Sequence, residues 1–205
     1  MKPSLEKARL LLVTDPREDL AERVRAGIKG GVNVVQLRDK SSSARELLSQ
    51  AEELREVCES EGAVFTVNDD VQLARKSGAG GLHLGQDDGP LAGARRRLGA
   101  AVLIGCSVGT VEEARVAVDE GADYLGVGAM YATPTKPEGE VAGLELVRSL
   151  VRADLGLPFY AIGGVTLETA PEVAAAGAWG FAVVRAVLDA DDPEVAAKKL
   201  RALLP

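Results

Sequence analysis

Aromatic side chains are scarce in this 205-residue chain: three Phe, three Tyr and one Trp, 3% of the whole. A core made without them must come from Val, Leu, Ile and Ala, which favours interdigitating layers of branched side chains over a few large anchors. Only two cysteines occur, Cys58 and Cys106. Neither has metal-ligand spacing, so both read as reduced thiols in a cytosolic protein. Long hydrophobic runs are missing as well. The stretch from Met1 to Lys7 lacks the apolar segment of a signal peptide, and the run from Arg9 to Thr14 is too short to cross a bilayer. The expectation is a soluble, cytoplasmic protein with no membrane partner. Positive charge is in deficit: 24 Lys and Arg face 31 Asp and Glu, a net charge of −7. That balance argues against nucleic acid as a partner. Phosphates remain accessible to such a chain only where cations gather locally or a metal intervenes.

What is present is a regular alternation. Short apolar runs at Leu10–Thr14, Val34–Arg38, Val64–Val67, Gly81–Leu84, Leu103–Ser107, Tyr124–Gly128, Phe159–Ile162 and Gly180–Val184 read as buried parallel strands. Amphipathic helical patterns lie between them. Leu47, Leu48, Ala51, Leu54 and Cys58 share one helix face, opened by a capping box of Ser43 and Glu46. Thr110 with Glu113 is a second box, Pro193 opens the last helix, and a helix is expected from Thr166. Three segments repeat one grammar: Gly78-Ala79-Gly80-Gly81, Gly121-Ala122-Asp123-Tyr124 and Gly177-Ala178-Trp179-Gly180. In each, a glycine able to take positive φ ends a helix and a strand follows at once. Eight βα units in one chain predict a single α/β domain over residues 1–205, a (β/α)8 barrel of the TIM type. An open doubly wound sheet is the alternative. It is disfavoured because no strand has the short, charged look of an exposed edge.

In such a fold the chemistry gathers at the C-terminal strand ends. Alternation in Gln36-Leu37-Arg38-Asp39-Lys40 puts Gln36, Arg38 and Lys40 on one side, converging on the barrel mouth. Asn68-Asp69-Asp70 and His83-Leu84-Gly85-Gln86-Asp87-Asp88 end the next two strands. Carboxylates facing cations suit a Mg²⁺ held by one or two carboxylates plus substrate phosphates. Asp69 and Asp88 are the expected ligands, with Asp70 and Asp87 as rivals or helix caps. The lone histidine, His83, reads as a packed, hydrogen-bonded residue of the floor rather than a base. Ser107 has no candidate histidine partner beside it, so it reads as a hydroxyl contact to an anion, not a nucleophile. Thr133, Pro134, Thr135 and Lys136 follow Gly128 in a segment whose length, with Pro137 and Gly139, reads as a lid. Gly163-Gly164 and Val184-Arg185 read as backbone-amide phosphate sites after the last two strands. Two anion-binding regions result, which points to two phosphorylated substrates, one of them a diphosphate.

These residues resemble the thiamine-phosphate synthases. The likeness rests on Gln36-x-Arg38-x-Lys40, Asn68-Asp69, His83-Leu84-Gly85-Gln86-x-Asp88, Gly105-x-Ser107, Asp123-Tyr124-x-Gly126-x-Gly128, Thr133-x-Thr135-Lys136 and Ala161-Ile162-Gly163-Gly164. The resemblance implies a barrel that joins hydroxymethylpyrimidine diphosphate to hydroxyethylthiazole phosphate, releasing diphosphate and using Mg²⁺. By the same resemblance, Gln36, Leu37, Arg38, Asp39, Lys40, Asn68, Ser107 and Lys136 contact the pyrimidine diphosphate, with Arg38, Lys40, Lys136 and Ser107 carrying catalysis. Asp69 and Asp88 hold the Mg²⁺. Thr133, Pro134, Thr135, Gly164, Val184 and Arg185 contact the thiazole phosphate. Two positions depart from the family pattern: Gly109 stands where a histidine is usual, and Arg185 where a serine is usual. The first separates the chain from a related thiazole tautomerase that relies on that histidine. A barrel that only binds a thiamine precursor, and a sugar-phosphate isomerase, are the remaining alternatives. The sequence leaves a homo-oligomer open.

Overall fold

The computed structural model describes residues 2–133 and 141–205. Its eight parallel strands are β1 (Leu10–Val13), β2 (Val34–Leu37), β3 (Val64–Asn68), β4 (Gly81–Leu84), β5 (Leu103–Val108), β6 (Tyr124–Gly128), β7 (Phe159–Ile162) and β8 (Gly180–Val183). Each pairs with its sequence neighbours and β8 returns to β1, so the barrel is closed and no strand is left at an edge. The described helices are α1 (Leu20–Lys29), α2 (Ala44–Glu61), α3 (Val71–Ser77), α4 (Leu91–Leu98), α5 (Val111–Asp119), α6 (Gly143–Ala153), α7 (Ala170–Ala175), α8 (Arg185–Leu188) and α9 (Pro193–Arg201). Among the described residues no helix is long and apolar enough to cross a membrane.

Local signals set the helix ends. Ser43 and Glu46 form the full capping box of α2. At α5 the box is split: Thr110 accepts from the Glu113 amide, whereas Glu113 reaches one residue further back, to the Gly109 amide at 2.6 Å. Asp192 caps α9, whose first residue is Pro193. Helix α7 begins at Ala170, not at Thr166. The Thr169 hydroxyl donates to the Gly164 carbonyl and accepts from the Thr166 amide, which folds these residues into a turn ahead of the helix.

Two cores share the sheet. The outer one, between strands and helices, is built mainly from Leu, Val, Ile and Ala as the composition requires, with Phe65 and Phe181 added. The inner one departs from that expectation, because Tyr124 and Tyr160 fill the middle of the barrel, edge to face, with ring centroids 5.8 Å apart. Glycine makes room for them. A Cβ on Gly105 would lie 2.2 Å from Tyr124 Cζ, and one on Gly180 would lie 2.9 Å from Tyr160 Cδ1. Below them Leu5 and Ala8 close the N-terminal end, where the Tyr160 hydroxyl donates to the Ala8 carbonyl at 3.0 Å.

Adding that Cβ drives a methyl into rigid rings. Gly105→Ala is expected to destabilise the barrel by about 3 kcal/mol, the upper part of the overpacking range. Gly62→Ala, at φ +81° with nothing within 4 Å, should lose only about 1 kcal/mol. Urea unfolding checks this, and equal losses at the two positions would contradict the packing of the inner core.

Candidate active site at the barrel mouth

Parallel register carries one face from strand to strand. Val13 aligns with Gln36, Gln36 with Thr66, Asn68 with His83, His83 with Gly105, and Ser107 with Gly126. Gln36, Asn68, His83 and Ser107 thus lie on the face that also carries Val13 and Tyr124 into the barrel interior. Gln36 is buried, whereas Asn68 and Ser107 are partly open at the mouth. The buried Tyr124 hydroxyl lies near Gln36 and Thr66 but forms no well-shaped hydrogen bond.

The end of β2 divides its residues by role. Leu37 turns outward into the helix-facing core, so only its backbone remains for a ligand. The Arg38 amide donates to Thr14 Oγ1 at 3.0 Å. Asp39 is occupied locally, accepting from the amides and hydroxyls of Ser41 and Ser42 at 2.6–3.1 Å. Burial opposes ionisation of Asp39, but these bonds outweigh it and bring the carboxyl down to about 2. Its carboxylate therefore shapes the loop. Arg38, Asp39, Lys40, Asn68 and Asp69 line a cavity of about 140 Å³ at the ends of β2 and β3. A larger cleft of about 520 Å³ is lined by the loop after β1, with Arg17, and by α1 and α2, with Gln50.

Asp69 and Asp88 come together across the ends of β3 and β4. Asp69 sits at φ +63°, a left-handed conformation that Asp tolerates better than most residues. Its amide donates to the His83 carbonyl at 2.8 Å, which fixes it against β4. Asp88 folds back to accept from the Gly85 amide at 2.7 Å. Burial and the neighbouring Asp88 push the Asp69 carboxyl up to about 6, against the pull of Lys40 and Arg38. Burial opposes ionisation of Asp88 too, but the hydrogen bond from Asp69, the Gly85 amide and Lys40 hold it below the usual range. The Lys40 ammonium stands 3.9 Å from Asp69 Oδ2. The rival Asp70 is a cap: it accepts from the Gln72 and Leu73 amides at the start of α3.

His83 is packed, as its place in a strand implied. Its ring lies 5.5 Å from that of Tyr124, and burial brings its pKa down to about 4, so it is neutral at physiological pH. The expectation that Ser107 has no histidine beside it is overturned: His83 Nε2 lies 2.9 Å from Ser107 Oγ. Both residues face inward on adjacent strands, and the β4–β5 register, which sets His83 opposite Gly105, brings Ser107 two residues further along β5 into reach. Both thiols are buried, which pushes Cys58 up to about 12 and Cys106 up to about 11, and neither is an activated nucleophile.

On the far side of the mouth, the Met130 and Tyr131 amides donate to the Ile162 and Gly163 carbonyls. Gly163 and Gly164 both have positive φ, and a Cβ on either would lie within 2.7 Å of Ala129 or Tyr131. Close approach of this segment by itself requires both glycines. Thr133 is half-buried at the end of the described part, while Pro134, Thr135, Lys136, Pro137 and Gly139 lie outside the described residues. Val184 precedes the single turn of α8, and Arg185 is exposed, 4.0 Å from Asp189.

The thiamine monophosphate synthase family model matches residues 10–187. The chain belongs to that family. It is 47% identical over 200 residues to the thiamine-phosphate synthase of Halorhodospira halophila, covering 97% of this chain and 95% of that one. The thiamine-phosphate synthase of Caldivirga maquilingensis is 42% identical, covering 91% and 92% of the two chains. Among solved structures, the thiamine phosphate pyrophosphorylase from Pyrococcus furiosus superposes with a TM-score of 0.86 at 35% identity, covering 96% and 95%. A 3-hexulose-6-phosphate synthase shares the barrel, at TM-score 0.70 and 21% identity. Membership makes this chain an enzyme, a transferase of thiamine biosynthesis.

The carboxylate pair carries an electrostatic penalty that can be measured. Because the fold favours the protonated Asp69, stability is lost as pH rises from about 4, the unfolded range, through about 6. Asp69→Asn keeps the left-handed backbone and removes the penalty. The rise corresponds to at most about 3 kcal/mol. With 34% of the side chain in solvent, the expected gain at pH 7 is about 1 kcal/mol. Urea melts at pH 7 and pH 4 should show the gain only at the higher pH; a loss at pH 7 would contradict it.

Proposed function

We propose that this enzyme joins 4-amino-2-methyl-5-hydroxymethylpyrimidine diphosphate to 4-methyl-5-(2-hydroxyethyl)thiazole phosphate, giving thiamine phosphate and diphosphate. The observation that carries the reading is the Asp69–Asp88 pair set beside Lys40 and Arg38 at the ends of β3 and β4. Two carboxylates pressed together, one of them resisting ionisation, fit a divalent cation better than they fit each other. Among the described residues no group of three or more Asp, Glu, His or Cys could hold a metal. Such a pair suits Mg²⁺, an ion that takes one or two protein carboxylates and completes its shell with phosphate oxygens and water. Asp69 and Asp88 would hold it, and when bound it would neutralise charge on the diphosphate.

The residues then divide the work. Arg38, Lys40 and Lys136 stabilise the diphosphate as the bond to the pyrimidine methylene breaks. Gln36 and Asn68 orient the aminopyrimidine, whose electron-rich ring supports the methylene cation, and the Ser107 hydroxyl donates to the anionic substrate. Thr133, Pro134, Thr135, Gly164, Val184 and Arg185 hold the thiazole phosphate so that the ring nitrogen meets that carbon. No general base is needed, in keeping with a site whose only histidine is buried and neutral.

Thiamine phosphate formation from the two substrates, followed with Mg²⁺ and with EDTA, tests the reading. Mg²⁺-dependent product with equimolar diphosphate is expected. Asp69→Ala should lower turnover at least about 100-fold, as removing a group that stabilises transition-state charge does, while leaving the fold intact. Undiminished turnover in Asp69→Ala would refute the metal role.

A further inference from the structure

The His83–Ser107 contact holds a choice between two arrangements of protons. Neutral imidazole carries one N–H. If Nδ1 carries it, Nε2 must accept the Ser107 proton and the serine has none left for a ligand. If Nε2 carries it, the imidazole donates to Ser107 Oγ and the hydroxyl proton is free.

The surroundings decide between them. His83 is 7% exposed, and its Nδ1 is buried with no hydrogen-bond partner. A proton on Nδ1 would be an orphaned buried donor, one of the rarest features of folded proteins. The ring cannot rotate to relieve it, because it is wedged between Gly105, Gly126 and Tyr124. A Cβ on Gly105 would fall 2.6 Å from Nδ1, and one on Gly126 would fall 2.9 Å from Cε1. Ser107 is fixed at its other end, since Gln86 Nε2 donates to the Ser107 carbonyl at 2.6 Å. Among the described residues Ser107 Oγ has no partner other than His83, and the residue is partly open at the mouth.

We propose that His83 is a positioning residue for Ser107: its imidazole is the Nε2–H tautomer, donates to Ser107 Oγ, and commits the Ser107 proton to the anionic substrate. The inference rests on the reading of the mouth given under Proposed function. Strand geometry thereby converts a hydroxyl that could donate in several directions into a donor aimed at one. His83 touches no reacting atom; it acts through Ser107.

The chain has one histidine, so the tautomer can be read directly from imidazole ¹⁵N shifts of the tag-free protein. A protonated Nε2 with a bare Nδ1 is expected, and a protonated Nδ1 would overturn the proposal. Kinetics give a second test. His83→Phe keeps the ring against Tyr124 but deletes the donor. It should lower kcat/KM by roughly 10- to 100-fold, as should Ser107→Ala, with KM for the thiazole phosphate unchanged. The double variant should be no worse than Ser107→Ala alone, and His83→Gln, which restores an N–H donor, should recover part of the loss. Additive losses, or no recovery with Gln, would overturn the role. Absence of product from the unaltered chain would sink the proposed reaction instead, and the nitrogen shifts would still decide this inference.

Discussion

The inward-facing glycines of β5, β6 and β8 are the constraint on which the rest of the barrel depends. Gly105, Gly126 and Gly180 stand at positions where any Cβ would meet Tyr124, His83 or Tyr160 at less than 3 Å. Their missing side chains let two tyrosines occupy the barrel axis and let an imidazole lie above them. A floor made only of aliphatic side chains would have no hydrogen-bonding group to offer at this depth. Here Tyr124, Gln36, Thr66, His83 and Ser107 form a polar layer between an apolar plug and an open mouth.

Above that floor the site works against the charge of the protein. A chain of net charge −7 repels phosphates overall, so the proposed reaction requires the mouth to attract them locally. Arg38 and Lys40 gather at the end of β2, while Asp69 and Asp88 are held close enough to raise the pKa of one and lower that of the other. Asp69 is kept in place by a backbone bond to β4 and a left-handed φ, and Asp88 by the Gly85 amide. Strain and like-charge contact of this kind persist where the surrounding fold over-determines them.

Much of the fold was legible because βα units have strong punctuation. The strand limits read from apolar runs differ from the observed ones by one residue at most, and Gly78, Gly121 and Gly177 take the positive φ that their grammar required. Where the reading missed, the cause was a contact that hydrophobic spacing does not show. Low aromatic content concealed the two barrel-filling tyrosines, since composition does not say which strand face a ring occupies. Pairing of His83 with Ser107 needs the β4–β5 register, which sequence spacing does not give. The helix expected at Thr166 gave way to a threonine turn, because Thr169 bonds back to Gly164. The close approach of Ala129 and Tyr131 is a second demand on Gly163 and Gly164, beside the phosphate turn read from the sequence. Asp39 and Leu37 share a motif with Arg38 and Lys40, yet their side chains serve the loop and the core.

The central claim is that one carboxylate pair and one cationic cluster form a joint site for a divalent cation and a diphosphate. Calorimetric titration of Mg²⁺ into the protein, with and without inorganic diphosphate, tests it most directly. Each ligand should tighten the other by about tenfold or more, as coupling between adjoining sites requires, and the coupling should vanish in Asp69→Ala. Equal Mg²⁺ affinity with and without diphosphate, or coupling that survives in Asp69→Ala, would contradict it.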